Sequence, residues 1–316
     1  MQLSIVVTSY DPQRKKDIMD LLDSIQAQVC NNFEVVYITE RSRSLYDFVK
    51  KALEQRGIKG KVIHNEIAKG LSFSRNIGIE HSDGDIVAFV DDDAIVSSNW
   101  ACTIVKSFRN PRVVAVTGPV IPLFNDSSIA QMPKAFHWLF GCSTWADYSD
   151  GEAIRNVWGA NMAFKRTALM NVGGFSDQIG GVFGRRLHGE ENELSMRLVL
   201  SNVGSVFFLK DMYVLHKVTS ERIGTRFVLR SSYWMGFTRY VLNKNYGKLH
   251  PLSPELNVMR SVLIDGVIAS ILNLLRSRQN FVIILRVSTL VIVSAIAGYV
   301  AAIVKEAFAD RLDSHV

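Results

Sequence analysis

Cysteine is scarce in this chain, with three in 316 residues. Cys30, Cys102 and Cys142 form neither a Cys-x-x-Cys pair nor any metal-ligand spacing, which excludes a cysteine-built metal site. An odd, scattered set is expected to remain as reduced thiols, and so to accompany a cytosolic catalytic domain. No internal repeat or low-complexity tract is present. The chain enters an apolar run, Leu3 to Val7, almost at once, so no secretory signal peptide is expected. Charge is missing altogether from the eighteen residues Val287 to Val304.

What is present divides unevenly. Hydrophobic residues make up 48% and charged residues 21%, enough for a packed core in one large or two modest domains. Mean hydropathy of +0.12 is high for a soluble chain, and the excess is local. So is the charge. Lys217 to Arg286 carries eleven Lys and Arg against three Asp and Glu, whereas the whole chain has a net charge of +6, so the remainder is slightly acidic. A basic stretch suits nucleic acid or an anionic membrane surface. Its neighbours favour the membrane and not nucleic acid.

Val287–Val304 at ~1.5 Å per residue nearly spans a ~30 Å hydrocarbon core, and Phe281 to Leu285 extend it. We expect residues 281–304 to cross the bilayer. A second apolar stretch at 261–275 is short and holds Asp265, whose charge costs roughly 2.5–3.5 kcal/mol at mid-membrane. It is expected to lie at the interface, re-enter, or form one half of a hairpin. Thr225 to Lys248 interleaves Phe227, Tyr233, Trp234, Phe237 and Tyr240 with Arg226, Arg230, Arg239, Lys244 and Lys248, the composition of a membrane-interface helix. Arg276, Arg278 and Arg286 before the apolar span place the globular part on the cytoplasmic side by the positive-inside rule. The expected organisation is a domain at 1–218, basic amphipathic helices at 219–255 and a membrane region at 256–316, whose helices offer a route to a homo-oligomer.

In 1–218, short β-branched runs alternate with segments of helical spacing. Strands are expected at LSIVV, NFEVVYITE, KVIHN and IVAFV, and helices at 17–28, 45–55 and 72–79. This alternation predicts an α/β fold around a doubly wound sheet. The run Ile86–Val90 is apolar on both alternations, as in a strand buried on both faces. It ends in Asp91-Asp92-Asp93. In open α/β sheets the carboxyl edge is where ligands bind, and carboxylate oxygens suit Mg²⁺ or Mn²⁺, which in turn hold phosphates. The aromatic stretch Phe124 to Arg155 reads either as a membrane-facing loop or as packing beneath a long one.

At this point the chain resembles the family 2 glycosyltransferases, of GT-A fold, with a Rossmann-like mixed sheet. The resemblance covers Leu3 to Val218 in five blocks: SIVVTSY, GLSFSRNIGIEHSDGDIVAFVDDDA, GANMAFKRTALMNVGGF, GEENELSMRL and VLHKV. It implies an inverting transfer from a nucleotide-diphosphate sugar, assisted by Mn²⁺ or Mg²⁺. Asp93 is then the direct metal ligand. Asp91 shares the ion or orients the donor, and His216 completes the shell. Arg75 offsets diphosphate charge or fixes Asp91. Asp92 faces the core or caps the next helix. Thr8, Tyr10, Glu40, Gly159, Asn161 and Glu190 complete the donor side, with Asp92 counted among them and Gly159 to Asn161 lining the sugar pocket. The catalytic base is Glu191, second of the acidic pair, where the family more often has Asp. Two adjacent carboxylates in a partly desolvated cleft raise the pKa of one or both.

One departure bears on the donor. The family's second strand commonly ends in two acids, and here it reads Thr39-Glu40. Glu40 as a bidentate partner for the N1–H and N2–H₂ of guanine favours a GDP-sugar, hence mannose, over a UDP-sugar. An anchor beside such a domain implies a lipid-borne acceptor, such as a polyprenyl or dolichyl phosphate or a lipid-linked saccharide. Two other readings fit these residues less well. A sugar-phosphate nucleotidyltransferase would need a Gly-rich first loop, and VVTSYDPQRKK has no glycine. Against a non-catalytic, membrane-tethered nucleotide-sugar-binding protein stand the intact D-x-D, the acidic pair and His216 together.

Overall fold

The computed structural model describes residues 1–67, 69–125, 132–176, 189–247 and 278–313. It has two compact units. The first comprises Met1–Leu123, Ala146–Arg185 and Glu190–Lys217, and the second Phe124–Trp145, Arg186–Gly189 and Val218–Val316.

In the first unit, strands β1 (Leu3–Ser9), β2 (Phe33–Glu40), β3 (Gly60–Asn65) and β4 (Ile86–Val90) form a parallel run at one side of an eight-stranded sheet. Helices α1 (Lys15–Gln26), α2 (Arg43–Arg56) and α3 (Leu71–Glu80) are the crossovers. The apolar stripes of α1 and α2 are buried: Ile18, Leu21, Leu22 and Ile25 in the first, Leu45, Val49, Ala52 and Leu53 in the second. α2 starts at a Ser42 cap and stops at Gly57, whose φ of 61° is left-handed. The strand order is β3-β2-β1-β4-β9-β6-β10-β8. There β6 is Val113–Thr117, β8 Ala153–Ile154, β9 Asn161–Lys165 and β10 Ser205–Phe208. β9 runs antiparallel to both β4 and β6, so the sheet is mixed.

A second sheet, β5-β11-β7, joins Ala94–Val96, Val214–Val218 and Val120–Phe124. The apolar run from Val113 to Ile121 breaks between the two sheets. It does so because a Cβ at Gly118 would collide with the carbonyl of Met212, and the chain turns there from one sheet to the other. Helix α4 (Trp100–Ser107) is the helix after the Asp triplet, and Asn99, not Asp92, stands at its N-cap. Helices α5 (Arg166–Asn171) and α6 (Glu190–Leu200) follow β9 in the chain.

The cysteines require a correction. Cys30 and Cys102 form a disulfide, and Cys142 is buried outside that pair. A separation of 72 residues is no motif; the fold creates the pair. The end of α1 docks beside α4, with Val29 N donating to Ser98 O at 3.2 Å and Gln28 Nε2 to Ser97 O at 2.8 Å. On chain-entropy grounds, closing a loop of that length is worth about 4 kcal/mol. The inference from reduced thiols to a cytosolic domain falls with this pairing.

In the second unit, Phe124, His137 and Phe140 pack ring to ring, so this part of the aromatic stretch is packing, not an exposed loop. Helix α7 (Thr225–Tyr246) lies along helix α8 (Arg278–Asp313). Arg286 bonds Thr225 near one end and Lys244 pairs with Glu306 near the other, so the two run parallel. Between these ends the backbones meet: a methyl on Gly236 would strike the Ala295 carbonyl, and one on Gly298 the Tyr233 carbonyl. Small residues permit such approach. Ile284–Ala307 has a mean hydropathy of 2.3 and is long and apolar enough to cross a membrane. A helix lying flat in the interface cannot also run beside one that crosses the bilayer. In this arrangement the expectations of an interfacial 225–248 and a spanning 281–304 exclude one another. The stretch at 261–275 lies outside the described residues.

Candidate active site

The site begins at the carboxyl end of β4. β1 and β9 flank this strand, all five of its residues are buried, and Asp91 to Asp93 leave it as a turn. β11 is stitched to that turn: Lys217 N donates to Asp93 O at 3.0 Å, and His216 is in register with Ala94. His216 therefore faces the acids, with Nε2 3.1 Å from Asp93 Oδ1 and 4.0 Å from Asp91 Oδ2. Ligand atoms of Asp91, Asp93 and His216 all lie within 4.8 Å of one another. Two carboxylates with one imidazole form a mixed oxygen–nitrogen set suited to a divalent transition ion such as Mn²⁺. Lys217 is itself held at 2.7 Å by Asp17 and 2.6 Å by Asp20 of α1, which braces the strand that carries His216.

Asp92 turns inward, as one of the two expected alternatives had it. Its Oδ2 accepts from Ser9 Oγ at 2.6 Å, and Ser9 meets Tyr37 Oη at 2.7 Å. Burial pushes the Asp92 carboxyl up to about 6, opposed by Arg14 and assisted by Asp93 and Asp91. Burial, and then the Asp92 charge, push Tyr37 well above the ordinary phenol value. Asp92 is thus taken up by protein groups, which corrects its place among donor ligands.

Arg75, on α3, is the hub of the site. It is 3% exposed. Nη1 donates to Glu190 Oε1 at 2.7 Å and Nη2 to the Gly159 carbonyl at 3.1 Å, while Asp91 Oδ1 lies 3.5 Å from Nη2. Its guanidinium also stands 5.3 Å from the centre of the Phe175 ring. One cation therefore joins the acids after β4 to the acidic pair at the start of α6. The sequence offered Arg75 to Asp91 or to diphosphate; its link to Glu190, 115 residues away, had no local signal.

Glu190 is buried in that ion pair, and Glu191 follows it half-buried. Acids in the first turn of α6 also meet the positive end of the helix dipole. The helix is fastened by Arg197, which takes Glu193 with two nitrogens at 2.7 Å and donates to the carbonyls of Val172 and Gly174. A Cβ on Gly159 would lie 3.4 Å from Arg75 Nη2 and 3.8 Å from Glu191 Cδ. Gly159 thus keeps the floor between these side chains low, where a substrate could approach.

Other donor-side candidates sit differently. Thr8 is half-buried near the end of β1 and Tyr10, just beyond it, is 56% exposed. Asn161 does not line a pocket. It is fully buried, accepts from Trp100 Nε1 at 2.8 Å and donates to Met212 O, so it ties α4 to the 209–212 turn. Its small neighbours misled because β9 directs this side chain into the core. Glu40 is also buried, and its Oε1 takes the hydroxyl of Ser74, which accepts from Asn65 Nδ2 at 3.0 Å. One of the two Glu40 oxygens is thus already engaged by Ser74.

Arg14 was missed altogether. Its Nη1 donates to Asp92 Oδ1 at 2.8 Å and Asp93 Oδ2 at 2.7 Å. Burial opposes the Arg14 charge, yet the two acids raise its pKa overall.

Residues 4–173 match the family described as glycosyl transferase family 2. The glucosyl-dolichyl phosphate glucuronosyltransferase of Haloferax volcanii is 29% identical over 248 residues, covering 78% of this chain and 79% of that protein. Among solved structures, the mannosyltransferase PcManGT from Pyrobaculum calidifontis, in complex with GDP-Man and Mn²⁺, superposes with a TM-score of 0.61 at 16% identity, over 96% of this chain and 87% of that one. S. aureus TarS 1-349 in complex with UDP gives a TM-score of 0.52 at 14% identity, over 95% and 90%. Identities this low establish the fold alone.

Proposed function

The chain belongs to glycosyl transferase family 2 and is a glycosyltransferase, and from that premise we propose that it moves a sugar, with inversion, from a nucleotide diphosphate to a lipid-linked acceptor. The observation that carries this is the Asp91, Asp93 and His216 group joined through Arg75 to Glu190, with Glu191 beside it. Those three residues would hold a divalent ion, Mn²⁺ by their chemistry. Such an ion acts as a Lewis acid on a departing diphosphate. Arg75 adds fixed positive charge and sets the distance between donor-side and acceptor-side acids. Glu190 is spent on Arg75 and orients. Glu191 takes the acceptor hydroxyl proton as attack proceeds.

The lipid-linked acceptor is supported by the Haloferax relative, whose name specifies glucosyl-dolichyl phosphate, and by the apolar helix Ile284–Ala307 as an anchor. The catalytic domain is read on the cytoplasmic face from Arg276, Arg278 and Arg286. For the donor, the preference for GDP-mannose rested on both oxygens of Glu40, and Ser74 occupies one. A UDP-sugar, with glucuronate first by likeness to the relative, stands level with it.

A test combines UDP-glucuronate, UDP-glucose and GDP-mannose with dolichyl phosphate and glucosyl-dolichyl phosphate, with Mn²⁺ or EDTA. One donor should give lipid-extractable product that EDTA abolishes and that Asp93→Ala does not form. Product that survives EDTA and Asp93→Ala would remove the ion from the mechanism. Transfer only to water-soluble sugars would remove the lipid acceptor.

A further inference from the structure

The short turn Pro12–Arg14 follows β1 and is capped by Asp11, whose Oδ1 accepts from Gln13 N at 2.9 Å. It delivers Arg14 to the acids after β4. A single nitrogen, Nη1, serves both Asp92 and Asp93, at 2.8 and 2.7 Å. Among the described residues, no acceptor takes its Nε or Nη2, and the side chain keeps 29% exposure. Asp92 has a second donor in Ser9, and the other oxygen of Asp93 faces His216. Arg14 therefore places positive charge on the outer oxygen of the very acid that would hold the ion.

A guanidinium is a planar fork of five donors matched to phosphate oxygens. Here one tine is used, on carboxylates, and the remainder faces away from protein acceptors. A divalent ion on Asp93 would repel the guanidinium and bring an anionic diphosphate beside it; at this range both effects are strong in a partly buried site.

We propose that Arg14 stands in for the ion's charge at Asp93, and moves onto the donor's diphosphate when the ion binds. This rests on the reading of Asp91, Asp93 and His216 as the ion site. The handover couples ion and nucleotide, each strengthening the other. It differs in sign from a plain bracing role: removing a brace weakens ion binding, whereas removing a stand-in strengthens it.

The experiment uses the full chain in detergent, with Arg14→Met, Arg14→Lys and Asp93→Ala. Mn²⁺ binding is followed by the electron paramagnetic resonance of free Mn²⁺, alone and with UDP or GDP as probes. Arg14→Met should bind Mn²⁺ alone at least threefold more tightly than wild type. At saturating Mn²⁺ it should bind the preferred nucleoside diphosphate roughly tenfold more weakly, and Arg14→Lys should fall between. Weaker Mn²⁺ binding by Arg14→Met, or unchanged nucleotide affinity, would overturn the handover while wild-type binding and its loss in Asp93→Ala upheld the ion site. A wild-type chain that bound no Mn²⁺ with either nucleotide would overturn the ion-site reading, and the handover with it. Arg14→Lys, which keeps the charge, guards against misreading a misfolded Arg14→Met.

Discussion

The site after β4 and the pair α7–α8 are held together in opposite ways. At the site, segments remote in sequence are joined by charge: Arg75 to Asp91 and Glu190, Arg14 to Asp92 and Asp93, Lys217 to Asp17 and Asp20. In the helix pair the middle is joined by shape, with Gly236 and Gly298 letting backbones touch, and polar contacts at the ends, Thr225 to Arg286 and Lys244 to Glu306. Charge pairs fix direction and can be re-formed around a ligand, which suits a place where an ion and a diphosphate must enter. Close backbone packing has one solution and no moving part, which suits an anchor.

The sharpest way to break the first half of this comparison is to remove its hub. Arg75→Met leaves Glu190 buried without its cation, a loss of roughly 3–5 kcal/mol by the usual cost of halving a buried pair. Thermal unfolding should show it, and adding Glu190→Gln should restore part of the stability while transfer stays low. If the single variant melted like wild type, Arg75 would not be the hub.

The second half breaks through size. Gly236→Leu forces the helices apart and should cost about 1–3 kcal/mol, as overpacking does. It should expose α7–α8 to limited proteolysis without changing Mn²⁺ affinity. Equal damage to ion binding would mean that the two regions are not separately held.

The smallest effect concerns pH. Burial lowers the pKa of His137, opposed by the Met132 carbonyl, in the second unit. A histidine depressed on folding contributes stability above its unfolded value near 6.5, and that contribution is lost as pH falls through the lower folded value. Wild-type unfolding temperature should therefore drop between about pH 6.5 and 5 by more than that of His137→Gln. Parallel curves would show that His137 does not carry the acid limb.

What was legible in the sequence follows from the same contrast. β4 and α1 declared themselves because apolar periodicity is local, and the Asp triplet did so because it ends a buried strand. Glu190 and Glu191 stand out in the sequence only through the family's pattern. Arg14, Ser9 and Tyr37 were not, because their partners lie 28 to 83 residues away and no spacing encodes them. Asn161 was misplaced for a related reason: small neighbours suggest a pocket, but the direction of a strand side chain depends on register. The Cys30–Cys102 pair, 72 residues apart, belongs with these, as do Gly236 and Gly298, whose partners sit on another helix.

The central claim is that one of two adjacent acids is the base and the other is committed to Arg75. Transfer by Glu191→Gln and Glu190→Gln, measured side by side at saturating donor and Mn²⁺, tests it most directly. Glu191→Gln should lower turnover by roughly 10²–10⁴-fold with donor affinity little changed. Glu190→Gln should be milder in turnover and should disturb donor binding through Arg75. A large loss at Glu190→Gln with near-normal turnover at Glu191→Gln would contradict the assignment and exchange the roles of the two acids.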